Sequence, residues 1–480
     1  MSPTLLLSFV LGYFLLLFAV AAYTSRNSTN DSFFIGNRNS NWMLVAFGMI
    51  GTSLSGVTFV SVPGAVAKES FAYFQITLGY LIGYLIIAFV LLPLYYKLHL
   101  TSIYTYLNGR LGIASYKTGA SFFILSRTLG GTARLYLVVN ILQETILQNF
   151  GVPFWLTTLI ILVMILLYTY KGGVKTIVWT DTLQTTCMLA GLIICSIYIL
   201  GNLHLGFTDS LQQMSAKGYS SIFFTNPDSK FFFAKQIIAG AFIAITMTGM
   251  DQEMMQKNIS VKTLKDSQKN MVTLAIIMLV VILLFLFLGG LLYLFAAENN
   301  VTAIGDKVFP AIALQHMPHF ISVIFIIALI SALFPSADGA ITALTSSFCI
   351  DIIGIQRRTD LTAEKKKALR QRVHLSFAAI FLIVVMLYKW RNEASMIGLI
   401  LKIAAYTYGP LLGLFTFGIL LKRNVRDNLV PVVCIVAPII CFFIDKYQTQ
   451  LFGDFQIGSE LLVLNGALTF VGLLLISKKP

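Results

Sequence analysis

The chain is short of charge. Only 11% of its 480 residues are Asp, Glu, Lys or Arg, where soluble domains carry about a quarter. Acidic groups are the scarcer kind, 20 against 34 basic ones. So little charge cannot clothe a water-facing surface, and a hydrophobic content of 57% with 38 Phe excludes a soluble globular protein. Cysteine is sparse too. The five present (Cys187, Cys195, Cys349, Cys434, Cys441) sit in apolar segments without metal-type spacing, which leaves them as small packed hydrophobes. The five histidines (His99, His204, His316, His319, His374) lie at loops or segment ends. No His/Cys/Asp cluster therefore supports an enzyme. The GxxxxGK[ST] phosphate loop of ATP-driven machines is also missing.

What the chain has is apolar length. A helical membrane crossing needs about 20 apolar residues, and about thirteen stretches qualify. They fall near 3–23, 42–66, 74–96, 118–148, 153–169, 176–200, 234–256, 271–296, 319–350, 373–390, 394–421, 428–446 and 458–477. Their length argues for helices, and lipid does not tolerate open sheet edges. The sequence thus predicts an all-α polytopic membrane protein. The AVA at 19–21 mimics a signal-peptide cleavage site, but no Lys or Arg precedes it, so the first stretch is expected to remain as a helix.

Loop charge sets the topology. With the N-terminus outside, about three of every four loop Lys and Arg fall on one side, which the positive-inside rule makes cytoplasmic. The C-terminus is then inside. The net charge of +14 follows from this bias and gives no footprint for nucleic acid. The basic RRTDLTAEKKKALRQR at 357–372 reads as a solvated cytoplasmic helix that orients the chain. The loops are short and leave no room for a soluble domain.

Function should lie where polar groups enter the apolar layer, because an ionisable side chain there costs about 2.5–3.5 kcal/mol. GTSLSGVTFVSVPG at 51–64 packs glycines, Pro63 and hydroxyls into one span. It predicts a broken helix whose freed carbonyls can hold a cation and whose helix ends can hold a solute; a small-residue packing face is the alternative. KGGVKTIVWTDTLQ at 171–184 puts Asp181 too deep for a short side chain to reach the surface, with Gln184 on its face. TMTGMDQEMMQ at 246–256 offers Thr246 as a pocket residue, while Asp251 and Glu253 read as the inner end of a helix. ALFPSADGA at 332–340 carries Pro335, which is expected to bend the helix and free carbonyls beside Ser336 and Asp338.

Asp181 and Asp338 lie at comparable depth. Together they suit a small cation or a proton; alternatively each bonds a neighbouring helix separately. Arg127 and Arg134, seven residues apart, share a helical face. Either could take a substrate carboxylate or pair with Glu144, Asp181 or Asp338.

In order and spacing, GGVKTIVWTDTLQ, SGVTFVSVPG, SADGAITALTSSFCID and GPLLG resemble the sodium:solute symporter family of sodium-coupled glucose, proline, pantothenate and sialic acid transporters. The resemblance covers roughly residues 5–425. It implies a leucine-transporter-type five-plus-five inverted repeat with broken helices, working by alternating access, with Na⁺ as coupling ion. The implied domains are an extra N-terminal helix and cytoplasmic loop at 1–41, the repeat core at 42–427, and C-terminal helices at 428–480. The implied sodium ligands are the carbonyls of Gly51, Leu54 and Ala332 and the Ser336 hydroxyl. Pro335 stands where relatives carry a hydroxyl, and Asp338 stands where they often carry Ser. Some members bind a second sodium at the aspartate matching Asp181. Asp338 is therefore expected to replace the lost ligand and draw the cation toward Asp181.

Solute contacts carried over by position are Ser53, Ser55, Thr58, Phe74, Gln75 and Thr246, with Arg134 beside them. They suit a small polar solute: a sugar, a sialic acid-like or other carboxylate, or an amino acid. The partners expected are that solute, Na⁺ and the lipid bilayer of a plasma membrane, a bacterial inner membrane. A proton-coupled transporter of the same fold, a channel or a solute sensor is the alternative.

Overall fold

The computed structural model describes residues 3–24, 34, 38–172, 174–391 and 396–478. The chain is a helical bundle. In order run α1 (Pro3–Thr24), the bent pair α2 (Trp42–Ser53) and α3 (Gly56–Glu69), α4 (Tyr73–Lys97), α5 (Ile113–Thr145), α6 (Phe154–Gly172) and α7 (Val174–Asn202). The bent pair α8 (Phe233–Gly249) and α9 (Gln252–Ile259) follows, then α10 (Leu264–Glu298), α11 (His319–Ile353) and α12 (Ala363–Arg391). A third bent pair, α13 (Met396–Thr407) and α14 (Gly409–Leu420), precedes α15 (Val430–Lys446) and α16 (Leu461–Leu475).

Among the described residues, 8 helices are long and apolar enough to cross a membrane, or up to 11 with each bent pair counted as one span. The two further crossings expected from the sequence correspond to the shorter apolar helices Phe154–Thr169 and Leu461–Leu475. From α2 to α7 and again from α8 to α14 the chain makes five segments, and each set opens on a broken helix.

Each break has a local cause. Leu54 and Ser55 lie outside both helices where α2 and α3 meet at 55°, and Gly51 and Gly56 flank them. At Gly56 a Cβ would sit 2.5 Å from Val138 Cγ2, so only glycine lets the turn approach α5. Between α8 and α9 the bend is 65°. There α8 ends in a wide turn at Ile245–Gly249, and the Asp251 carboxylate caps α9 by accepting from Glu253 N at 2.9 Å and Met254 N at 3.3 Å. Asp251 therefore begins a second helix, where the sequence reading made it the inner end of one. The third break, of 45°, falls at Tyr408 just before Gly409 and Pro410, where Pro410 has no N–H to bond back to the preceding turn.

The proline in α11 behaves differently from expectation. The helix runs unbroken through Pro335, with every residue from Ala328 to Ser347 buried. Pro335 gives no N–H to the Ser331 carbonyl, but neighbours pack against the segment and it stays helical. Phe14 of α1 packs edge-on against Phe334 with ring centres 5.0 Å apart, and the Ser331 hydroxyl donates to Tyr13 Oη at 2.7 Å. The lost hydrogen bond destabilises the helix, and packing by the surrounding helices offsets that cost.

The basic segment takes its expected form, since α12 begins inside it and most of its lysines are exposed. All five cysteines are free thiols.

A very close backbone contact joins α4 to α8. A Cβ on Gly79 would stand 2.1 Å from Ile237 O, and one on Gly240 would stand 2.1 Å from Ile76 O. Gly240→Val must therefore push the two helices apart. A destabilisation of about 1–3 kcal/mol is expected from such overpacking, read as a lower unfolding temperature in detergent, whereas Gly201→Val, with nothing near its Cβ position, should change little.

Candidate functional site

The broken helices meet around a central cavity of about 90 Å³. Hydroxyls of Thr52, Ser53, Ser55 and Thr58 face it from the first break, and Tyr73, Tyr80 and Tyr84 from α4. Thr248 of α8, Arg127 and Arg134 of α5, and Ile397, Ile400 and Leu401 of α13 complete much of the wall. Apart from the two arginines, its polar side chains are all hydroxyls; among the described residues no carboxylate or amide lines it. A second cavity of about 300 Å³ shares Tyr73, Ile397 and Leu401 with the first, so these three side chains stand between the two.

Of the solute contacts expected from the sequence, Ser53, Ser55, Thr58 and Arg134 reach this cavity. Phe74, Gln75 and Thr246 do not. Tyr73, Tyr80 and Tyr84 share one face of α4 at helical spacing, and Phe74 and Gln75 turn away from it. The Gln75 amide instead donates to Phe231 O at 3.1 Å and accepts from Phe224 N at 3.3 Å. Thr246 spends its hydroxyl on Phe242 O at 2.9 Å. The wide turn ending α8 brings Thr248 to the wall in its place.

Behind the cavity lies a buried charge network. Arg127 bonds the Glu253 carboxylate and lies 3.9 Å from Asp251 Oδ2. Tyr408 Oη donates to that same Asp251 oxygen at 2.6 Å. Lys257 Nζ is 2.7 Å from Asp181 Oδ2, 2.7 Å from Thr52 Oγ1 and 3.7 Å from Glu253 Oε1. None of the four charged side chains Arg127, Glu253, Lys257 and Asp181 is more than 4% exposed. One short helix, α9 with its cap, supplies Asp251, Glu253 and Lys257.

Sequence reasoning gave Arg127 the possible partners Glu144, Asp181 and Asp338, and it missed Glu253 and Lys257. Glu144 in fact accepts from Asn140 at 2.8 Å. The signal was present in DQEMMQK, 251–257, which sets Glu253 and Lys257 four apart on one helical face.

The expected cation region lies on the opposite side of the first break. No hydrogen-bond donor among the described residues reaches the carbonyls of Gly51 or Leu54. A Cβ on Gly51 would meet Thr185 Oγ1 at 2.4 Å and Pro335 Cγ at 3.4 Å, so this backbone presses on α7 and α11 together. Ser336 is buried there, its hydroxyl donating to Leu333 O at 2.8 Å and keeping its lone pairs. Thr185 Oγ1 and Asp181 Oδ1 are buried without partners. Unpaired carbonyl, hydroxyl and carboxylate oxygens of this kind match what a small hard cation takes.

Asp338 turns elsewhere, accepting from Tyr168 Oη at 2.8 Å and from Gly339 N at 2.5 Å. Asp181 and Asp338 are thus each tied to a neighbour of their own. Thr185, one residue beyond Gln184, went unnoticed in the sequence because nothing local separates it from any other helical threonine.

Removing Arg127 leaves two buried carboxylates short of a cation, and breaking such a pair costs about 3–5 kcal/mol. Arg127→Ala should therefore lower the unfolding temperature sharply, whereas Arg127→Lys should recover part of the loss; thermal melts in detergent compare them.

The model of the family described as "Sodium:solute symporter family" matches residues 33–427. The sodium/sialic acid symporter SiaT of Proteus mirabilis (strain HI4320) is 24% identical over 488 residues, covering 95% of this chain and 93% of its own. Sodium-coupled monocarboxylate transporter 1 of Mus musculus is 26% identical over 407 residues, covering 82% of this chain and 64% of its own. Among solved structures, a substrate-bound, outward-open Na⁺-coupled sialic acid symporter superposes with a TM-score of 0.84 at 20% identity, over 99% of both chains. Mhp1, a nucleobase-cation-symport-1 family transporter in a closed conformation, superposes at 0.55 and 13% identity over 93% of both. These two likenesses show the leucine-transporter-type fold.

Proposed function

The chain belongs to the sodium:solute symporter family, a family of transporters and not of enzymes, and from that premise we propose that it couples sodium entry to uptake of a small carboxylate-bearing solute by alternating access. One observation carries the choice of solute. Arg134 lines the central cavity, and its guanidinium makes no hydrogen bond or ion pair with the described residues. Arg127, its neighbour on α5, is consumed by Glu253. A free guanidinium in a water-poor pocket recognises a carboxylate bidentately. The hydroxyls of Ser53, Ser55, Thr58 and Thr248 and the three tyrosines complete the wall.

The rest of that wall narrows the class. A polyhydroxylated sugar is usually gripped by amides and carboxylates as well as hydroxyls, and among the described residues neither an amide nor a carboxylate side chain lines this cavity. Apolar side chains such as Ile243, Met247 and Ile400 face the same space. The fit is to a compact acid with an apolar part. Relatives include both a sialic acid symporter and a monocarboxylate transporter, and the small cavity favours the shorter acid.

In this reading Na⁺ travels as cargo. Its seat is formed by the carbonyls of Gly51, Leu54 and Ala332 and the Ser336 hydroxyl, with Thr185 supplying the side-chain oxygen lost at Pro335. Asp181 and Asp338 lie behind it. The N-terminus faces outward, the C-terminus lies in the cytoplasm, and residues 42–427 form the repeat core in the plasma membrane of a bacterium.

Two experiments test these roles. In proteoliposomes with an inward sodium gradient, labelled lactate and labelled sialic acid should be compared as solutes. Arg134→Ala should cut uptake at least about tenfold while the unfolding temperature stays near wild type, because one charged hydrogen bond to a carboxylate is worth about 1.5–3 kcal/mol. Equal uptake by the variant would remove the carboxylate assignment. Thr185→Val, nearly isosteric, should raise the sodium concentration for half-maximal uptake several-fold without changing the apparent affinity for solute at saturating sodium.

A further inference from the structure

We propose that the Lys257 ammonium is a cation built into the chain at the second cation position, so that wild-type protein takes one sodium with each solute. The inference rests on the functional reading above, in which Asp181 lies on the cation side of the first break.

Three observations converge on Lys257. First, its Nζ stands at contact distance from Asp181 Oδ2 and Thr52 Oγ1, 2.7 Å from each, where a bound cation would draw on the same two oxygens. Second, the lysine is 2% exposed and Asp181 fully buried, so water does not screen the ammonium from any other charge nearby. A sodium ion entering at Asp181 would meet that positive charge at close range in a low-dielectric surround. Third, the ammonium rather than a lack of ligands keeps a second ion out: Asp181 Oδ1 is buried without a partner, so the carboxylate keeps an oxygen for a cation once the ammonium is gone.

The charges around the ammonium come from α5, α7, α9 and α11. Glu253 of α9 lies 3.7 Å from it and is itself held by Arg127 of α5; Asp181 comes from α7, and Asp338 from α11 is within electrostatic range. Asp181 thus has its cation on a tether. The tether is also connected to the solute site. Met254 sits on α9 three residues before Lys257, and Thr52 receives the ammonium's hydrogen bond; both line the central cavity. A rearrangement of the α8–α9 break on solute binding therefore moves the ammonium with it, and Lys257 acts as a specificity-determining residue for ion number.

The test counts sodium without needing the solute. Purified full-length protein is equilibrated with radioactive sodium against a choline background, and bound ions per chain are measured together with the sodium-dependent rise in unfolding temperature. Wild type should bind one ion with a Hill coefficient near one. Lys257→Gln, which removes the charge and keeps a polar end, should bind two, with the Hill coefficient rising toward two. Lys257→Arg should stay at one. Asp181→Asn/Lys257→Gln, which removes both charges together and leaves no orphan ion, should return to one and guards against a single variant that does not fold.

Two sodium ions on wild type, or an unchanged count in folded Lys257→Gln, would overturn the proposal and leave the symporter reading intact. Wild-type protein with neither sodium binding nor sodium-dependent stabilisation would overturn that reading and this proposal together.

Discussion

Burying charge in lipid is the constraint around which this molecule is organised. An ionisable side chain in the apolar layer costs several kcal/mol unless an opposite charge or several hydrogen bonds compensate it. Here Arg127, Asp251, Glu253, Lys257 and Asp181 solve the problem jointly. The solution depends on α9, eight residues long, which exists because α8 ends early and Asp251 recaps the chain. Straightening that break would carry Glu253 and Lys257 away from Arg127 and Asp181 at once. The network therefore locks a broken helix in place, and the broken helix holds the network together.

This coupling explains why two sites lie so close to each other. The first break, at Leu54 and Ser55, presents hydroxyl-bearing residues to the central cavity on one side and sets Gly51 against α7 and α11 on the other. Thr52 belongs to both, since it lines the cavity and takes the Lys257 hydrogen bond. A change at either site must be felt at the other through α9. Coupling between two ligands requires a shared two-state element, and the α8–α9 break is the natural candidate in this fold.

The buttressing of α11 shows the same economy. Its proline would disrupt an isolated helix, yet α1 covers the weak point with Phe14 and Tyr13. The first helix thereby contributes to the stability of the segment around Pro335 and Ser336. Tyr73, Ile397 and Leu401, lining both cavities, similarly join α4 to the third broken pair.

Much of this was legible in the residues. Scarce charge and long apolar runs determine a helical membrane protein, because hydration and backbone hydrogen bonding act on every segment separately. The break at 51–56 was legible for the same reason: glycines and hydroxyls weaken a helix wherever they stand. Other features needed the third dimension. Whether Pro335 breaks its helix depended on what packs against it, and whether Phe74 or Tyr84 faces the cavity depended on how α4 is rotated by the Gly79–Gly240 contact. The pairing of Asp181 with Lys257, 76 positions away, and the vacancy of Arg134 beside an engaged Arg127 were decided only by tertiary structure. Propensity and hydropathy belong to a segment, whereas electrostatic neutralisation belongs to whichever charges the fold brings within a few ångströms.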